Sequence, residues 1–179
     1  MTEHNTKGMY LSYEEETVEE ILEEARNNAM MFYDGGGVTF TGGEATVQFE
    51  ELKEALTGLK ESGIHTALET NGAHPRLEEL LGCVGQLIMD CKLCDPKKHK
   101  EYTGLSNETV FANIRKAAKI HPSLHVRVPL IGGVNDGRED QEAFLSFFRE
   151  IGGSNVTFEV LAYHEFGKRN GKNADGNTR

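Results

Sequence analysis

No run of lysine and arginine occurs anywhere in the 179-residue sequence, whose formal net charge is −10. A chain so charged cannot neutralise a row of phosphates, which excludes nucleic acid as the partner. The sequence also lacks an apolar stretch of membrane-spanning length, and its opening residues lack the basic-then-apolar plan of a signal peptide. No membrane partner is expected, and the protein reads as cytoplasmic. Cysteine is scarce. Three residues, an odd number in a chain without an export signal, fit a reducing compartment and give no disulfide framework. The length suits one domain around one core. The acidic cluster from Glu14 to Glu24 reads as a solvated helix face, with its first acids favourable to the helix dipole.

What is present is an alternation. Thr17 and Glu20 form a capping box ahead of Val18, Ile21, Leu22 and Ala25 at helical spacing. A strand Val38 to Thr41 follows, then an amphipathic helix from Phe49 through Leu59 that stops at Gly63. Next come a strand His65 to Glu69, a helix Arg76 to Leu81 and a strand Gln86 to Lys92. A helix Asn107 to Ala118, a strand His125 to Leu130, a helix Glu139 to Ile151 and a strand Val156 to Leu161 complete the pattern. Five strands alternating with helices require parallel pairing through right-handed crossovers, as an open sheet or a partial barrel. The expected fold is α/β, a partial TIM-like barrel of about five β/α units spanning residues 17–167. Segments 1–16 and 168–179 are expected to be flexible tails.

Polar residues gather where the strands end. Thr41-Gly42-Gly43-Glu44 turns a β-branched run into bare backbone with one carboxylate, which suits a ligand bearing an ammonium group. Asp90 and Lys92 stand two apart, so their side chains share a face. Taken singly, Glu69, Lys92 and His99 read as salt-bridged or solvent-facing polar residues. Groups collected from several strand ends make one site in a barrel.

Six motifs in order, from Gly35-Gly36-Gly37-Val38-Thr39-Phe40-Thr41-Gly42-Gly43-Glu44, through Gly63 to Gly72, Asp90-Cys91-Lys92, His99 to Gly104, and Arg127 to Ile131 with Gly133, Asn135 and Asp136, to Ala162 through Gly167, resemble the activating enzymes of glycyl radical enzymes. These are members of the radical S-adenosylmethionine superfamily, with pyruvate formate-lyase activating enzyme as the best-known example. The resemblance implies S-adenosylmethionine as cofactor, its amino group held by Gly42, Gly43 and Glu44. It implies that Asp90 and Lys92 line the pocket, that Arg127 takes the methionine carboxylate, and that His164 sits beside ribose or adenine. It further implies a monovalent cation held by Glu69, Thr70 and Asp90. The partner would be a glycyl radical enzyme such as pyruvate formate-lyase, and the electron donor a flavodoxin or ferredoxin.

The chain departs from that pattern in one important respect. Members carry a Cys-x-x-x-Cys-x-x-Cys segment whose thiolates ligate a four-iron four-sulfur cluster, and residues 1–16 contain no cysteine. The expectation is therefore a fragment of an activase, missing the first strand and the C-terminal part, inactive alone for want of cluster ligands. Ala45 replaces the family's usual proline after Gly-Gly-Glu. Cys91 and Cys94 form a Cys-x-x-Cys pair with only His99 near, short of a closed zinc site, and read as two small buried thiols. Two other readings remain open. One is a non-catalytic module that binds S-adenosylmethionine or a partner protein. The other is an unrelated partial-barrel enzyme using Asp90, Lys92 and His164 on a phosphorylated substrate, although no glycine-rich phosphate loop follows a late strand. The outer edge of the Val38 strand is expected to be covered by residues 1–16 or by a second copy in a homodimer.

Overall fold

The computed structural model describes residues 13–162. Five parallel strands lie side by side in the order of the sequence: β1 (Gly37–Phe40), β2 (His65–Thr70), β3 (Gln86–Asp90), β4 (Leu124–Leu130) and β5 (Val156–Ala162). The helices are α1 (Val18–Asn27), α2 (Phe49–Glu61), α3 (Pro96–Thr103), α4 (Glu108–Ile120) and α5 (Arg138–Ile151). Strands added in sequence order by right-handed crossovers carry their connecting helices to one face.

The register shows which face that is. Phe40, Leu68, Leu87, Leu124 and Val156 stand opposite one another across all five strands. This row joins Leu52 and Leu56 of α2, Ile114 of α4 and Phe144 and Phe147 of α5 in one hydrophobic core. Residues one step along each strand point the other way. There the rows are Glu69, Ile88, His125 and Thr157, then Asp90, Arg127 and Glu159. A sheet with helices on one side and a polar band on the other is the arc of a partial (β/α) barrel, the fold class expected from the sequence.

α1 begins at the capping box. The Thr17 hydroxyl accepts from the Glu20 N–H at 3.3 Å, while the Glu20 carboxylate accepts from the Thr17 N–H at 2.7 Å. Replacing Thr17 by alanine removes the first of these bonds and is expected to lower stability by about 1 kcal/mol, read as a shift in the urea unfolding midpoint. Leu22 and Ala25 bury themselves against Leu59 and Ile64, with Val38 packed alongside. Val18 and Ile21 stay half-buried.

The element boundaries differ from expectation in three places. The segment expected as a helix from Arg76 to Leu81 is a single 3-10 turn, Leu77–Leu80. β3 ends at Asp90, and Lys92 lies in the connection beyond it. α3 was not foreseen. Its cap is Asp95, which accepts from the N–H groups of Lys97 and Lys98 at 2.8 Å each, with Pro96 in the first turn and Gly104 closing it at φ +79°. On α3, His99 is buried and its Nδ1 lies 2.8 Å from the Leu105 carbonyl, a packing role in place of the salt-bridged or solvent-facing one expected for it.

Among the described residues β1 has no partner on its outer side, and residues 13–16 are exposed without forming a strand. Of the segment 1–16 expected to cover that side, residues 1–12 lie outside the described residues, as does the segment 168–179. No helix among the described residues is long and apolar enough to cross a membrane.

Candidate functional site

The carboxyl end of β1 runs into the turn Thr41-Gly42-Gly43-Glu44. Gly42 has φ +122°, a conformation that side-chain-bearing residues rarely adopt. A Cβ placed on Gly42 or Gly43 would meet nothing within 4 Å, so the space over this backbone is open to a ligand. Glu44 closes the turn and caps the 3-10 turn Ala45–Gln48. Its Oε1 accepts from the Thr46 hydroxyl at 2.6 Å, the Thr46 N–H at 3.2 Å and the Thr70 hydroxyl at 2.6 Å. Its Oε2 accepts from the Asn71 N–H at 2.8 Å. Burial alone would raise the Glu44 pKa, but the donors from Thr46, Thr70 and Asn71 outweigh it and hold the carboxyl below the ordinary glutamate value of 4.5. The carboxylate is charged at neutral pH, and it ties the β1 turn to the end of β2.

On the helix-free face, the charged residues pair with one another. Arg127 of β4 reaches past β3 to Glu69 of β2 at 3.0 Å and turns its Nε to Glu159 of β5 at 3.1 Å. His125 places Nε2 3.1 Å from the same Glu159 oxygen and Nδ1 2.7 Å from the Thr157 hydroxyl. The contact with His125, aided by the Arg127 charge, holds the Glu159 pKa down. Lys92 pairs with Asp90 at 3.3 Å. An aligned series of acceptors and one guanidinium can orient a ligand that bears both ammonium and carboxylate groups.

The expected site residues are thus distributed along one edge of the arc. Glu44 bonds to Thr70, and Arg127 bonds to Glu69, the preceding residue of β2. Asp90 stands level with Arg127 on the neighbouring strand. Glu69 and Thr70 leave β2 on opposite faces, so their side chains and Asp90 do not converge on one point; the Thr70 hydroxyl is engaged with Glu44 and the Gly72 N–H. His164 lies outside the described residues. Two surface depressions among the described residues lie elsewhere: one lies between α1 and α2 around Leu22, Arg26 and Lys53, the other around Gly63, His65 and Cys83 where β2 and β3 begin.

Three contributors were not singled out from the sequence: Thr46 grips Glu44, and His125 and Glu159 complete the network around Arg127. Asn135, part of one ordered motif but given no role there, joins two connections. Buried Asn135 donates to the carbonyls of Lys92 at 2.8 Å and Pro129 at 2.9 Å and accepts from the Ile131 N–H at 2.7 Å. The alternation His125-x-Arg127 on β4 and Thr157-x-Glu159 on β5, against apolar residues between, carried the signal for a polar face.

A family model described as the radical SAM superfamily matches residues 4–147. The chain belongs to the radical SAM superfamily. Its relatives in that superfamily are activating enzymes, as the ordered motifs implied. The 4-hydroxyphenylacetate decarboxylase activating enzyme of Clostridioides difficile (strain 630) is 33% identical over 156 residues, a match covering 85% of this chain and 49% of the relative. The (2S)-3-sulfopropanediol dehydratase activating enzyme of Klebsiella oxytoca is 32% identical over 156 residues, with coverages of 85% and 49%. Among solved structures, a domain of pyruvate-formate lyase-activating enzyme from Bacteroides vulgatus ATCC 8482 superposes with a TM-score of 0.65 at 30% identity, covering 73% of this chain and 83% of that domain. This radical SAM chain spans about half the length of the curated relatives it matches.

The superfamily implies S-adenosylmethionine and an iron–sulfur cluster, and the residues of this radical SAM chain suit the two unequally. The open Gly42-Gly43 backbone beside a charged carboxylate suits the ammonium of the first. The cysteines do not suit the second. Cys83 precedes β3, with the Thr57 hydroxyl 3.5 Å from its sulfur, whereas Cys91 follows β3. The intervening strand is about 16 Å long at roughly 3.3 Å per residue, too far for thiolates that must meet on one cluster. Cys91 and Cys94 lie against each other. The Cys94 side chain, together with burial, pushes the Cys91 thiol up, and the bond from Cys91 holds Cys94 down. Among the described residues, no group of three or more His, Cys, Asp and Glu side chains is arranged to hold a metal ion.

Proposed function

We propose that the strand-end site binds S-adenosylmethionine and that the protein serves the activation of a glycyl radical enzyme. The observation that carries this reading is the Glu44 turn: an exposed Gly42-Gly43 backbone next to a carboxylate kept charged by four donors. Gly42 and Gly43 would offer their carbonyls to the ligand ammonium, with Glu44 supplying the charge. Arg127 would exchange its Glu69 contact for the methionine carboxylate, leaving Glu159 and His125 to orient it. Asp90 and Lys92 would line the floor between them, and Glu69 and Asp90 would offer oxygens to a monovalent cation, with Thr70 contributing through its backbone. His164 would follow on the last strand end, beside ribose or adenine. In this class of protein the cluster and S-adenosylmethionine supply the radical chemistry; the residues named here bind, orient and exclude water. The partner would be a glycyl radical enzyme such as pyruvate formate-lyase, and the donor a flavodoxin or ferredoxin.

For the 179-residue polypeptide itself we propose ligand binding without radical generation, because its three cysteines do not converge. The same observation favours the non-catalytic module as the second reading. Anaerobic reconstitution with iron and sulfide, followed by iron analysis and visible absorption, is expected to leave no stoichiometric four-iron cluster. Calorimetry is expected to show S-adenosylmethionine binding all the same. A full cluster held by Cys83, Cys91 and Cys94 would overturn the first expectation, and no heat of binding would overturn the second.

A further inference from the structure

Capping alone does not explain how Glu44 is held. A side-chain cap on a 3-10 turn needs one bond from a backbone N–H, and the Thr46 N–H supplies it at 3.2 Å. The Thr46 hydroxyl adds a shorter bond to the same oxygen, at 2.6 Å, from a side chain that is only 3% exposed. The Thr70 hydroxyl, on a residue also 3% exposed, meets that oxygen at 2.6 Å from the neighbouring strand. Three donors therefore converge on Oε1, while Oε2 receives only the Asn71 N–H. A carboxylate offers about four acceptor positions over its two oxygens. Oε1 is saturated, so any acceptor capacity left for a ligand is on Oε2.

We infer that Thr46 is a positioning residue, which fixes the rotation of the Glu44 carboxylate so that Oε2, bonded only to the Asn71 N–H, keeps an acceptor position for a ligand ammonium. The inference rests on the S-adenosylmethionine reading of that turn. Position 45 is alanine, which leaves the backbone after Glu44 freer than a proline would. With the backbone less restricted, side-chain bonds fix the acid. The grip comes from two elements at once, Thr46 from the turn itself and Thr70 from β2, and this sets the carboxylate relative to the sheet as well as to its own loop.

The test compares Thr46→Val, which keeps the shape and removes the hydroxyl, with Thr46→Ser, which restores it. Two quantities are measured: the affinity for S-adenosylmethionine by calorimetry at pH 7, and the pH titration of the Glu44 carboxyl carbon by NMR in ligand-free protein. Thr46→Val is expected to weaken binding about tenfold, equivalent to roughly 1.4 kcal/mol, and to move the Glu44 titration upward. Thr46→Ser is expected to return both to the parent values. Should Thr46→Val fail to fold, Thr46→Ala carries the same expectations. Parent-like affinity with an unmoved Glu44 titration in the valine variant would overturn the inference, and so would a serine variant that rescues neither. A parent protein that does not bind S-adenosylmethionine would overturn the ligand assignment instead, and the Glu44 titration would still decide whether Thr46 holds the carboxylate.

Discussion

Glu44→Gln is expected to weaken S-adenosylmethionine binding by at least about 100-fold, a change of roughly 2.7 kcal/mol, and to lower stability at neutral pH. The substitution is nearly isosteric, yet it removes the charge that would face the ligand ammonium. It also replaces one acceptor oxygen by an amide NH2, which cannot accept. Four donors now converge on the carboxylate, and an amide of either orientation leaves at least one donor facing another. Buried donors left without a partner are costly, at about 1–3 kcal/mol each.

The pH dependence follows from the direction of the Glu44 shift. Its folded pKa lies below the ordinary 4.5, so its contribution to stability is complete above that value. The contribution is lost as pH falls through the folded pKa. The parent and the glutamine variant should therefore differ most at pH 7 and converge as pH falls through the folded Glu44 pKa, where the carboxyl becomes neutral. Urea unfolding across this range, with calorimetry at pH 7, measures both effects. A stability gap that stays constant with pH would contradict the role given to the Glu44 charge.

Asn135→Ala is expected to cost about 3–4 kcal/mol, a large share of a domain stability of roughly 5–15 kcal/mol. This residue is 1% exposed and makes three bonds, two donated to the carbonyls of Lys92 and Pro129 and one accepted from the Ile131 N–H. Alanine would remove all three bonds from these backbone groups at a buried position. The bonds also join the connection after β3 to the one after β4, so loosening them should displace Lys92 from Asp90. The unfolding midpoint in urea measures the loss, and a change under about 1 kcal/mol would mean that water replaces the amide without penalty.

The architecture was legible because period-2 and period-3.6 patterns are written in apolar residues. All five strands could be placed to within two residues on that basis, and the parallel order followed from their alternation with helices. α3 escaped for the same reason. Its residues Lys97, Lys98, Lys100 and Glu101 give no apolar stripe, although Asp95-Pro96 at one end and Gly104 at the other were readable as caps. The segment before β3 was expected as a helix from Arg76 to Leu81 as part of the repeating alternation. Four residues close a 3-10 turn instead.

The site was legible as a set of strand ends but not as a set of bonds. The sequence placed Glu44 at a turn, yet nothing in it showed that Thr46 and Thr70 would share one of its oxygens. Likewise Arg127 was expected to await a ligand carboxylate, whereas in the folded chain Glu69 and Glu159 already occupy it. Such pairings depend on which residues a register brings level, and register is a property of the assembled sheet.

The strictly sequential order of the strands also governs how the sheet opens. An interior strand leaves only by breaking two ladders, but an outermost strand leaves by breaking one, so thermal opening proceeds from the seams of the arc toward its middle. Among the described residues β1 is such a seam, and it carries the Gly42-Gly43-Glu44 turn. The bonds from Glu44 to Thr70 and Asn71 therefore act as a rivet, fastening the least buttressed strand to its neighbour. A cationic ligand seated on that turn would draw on the same carboxylate, and its arrival would stiffen the end of the sheet most prone to fray.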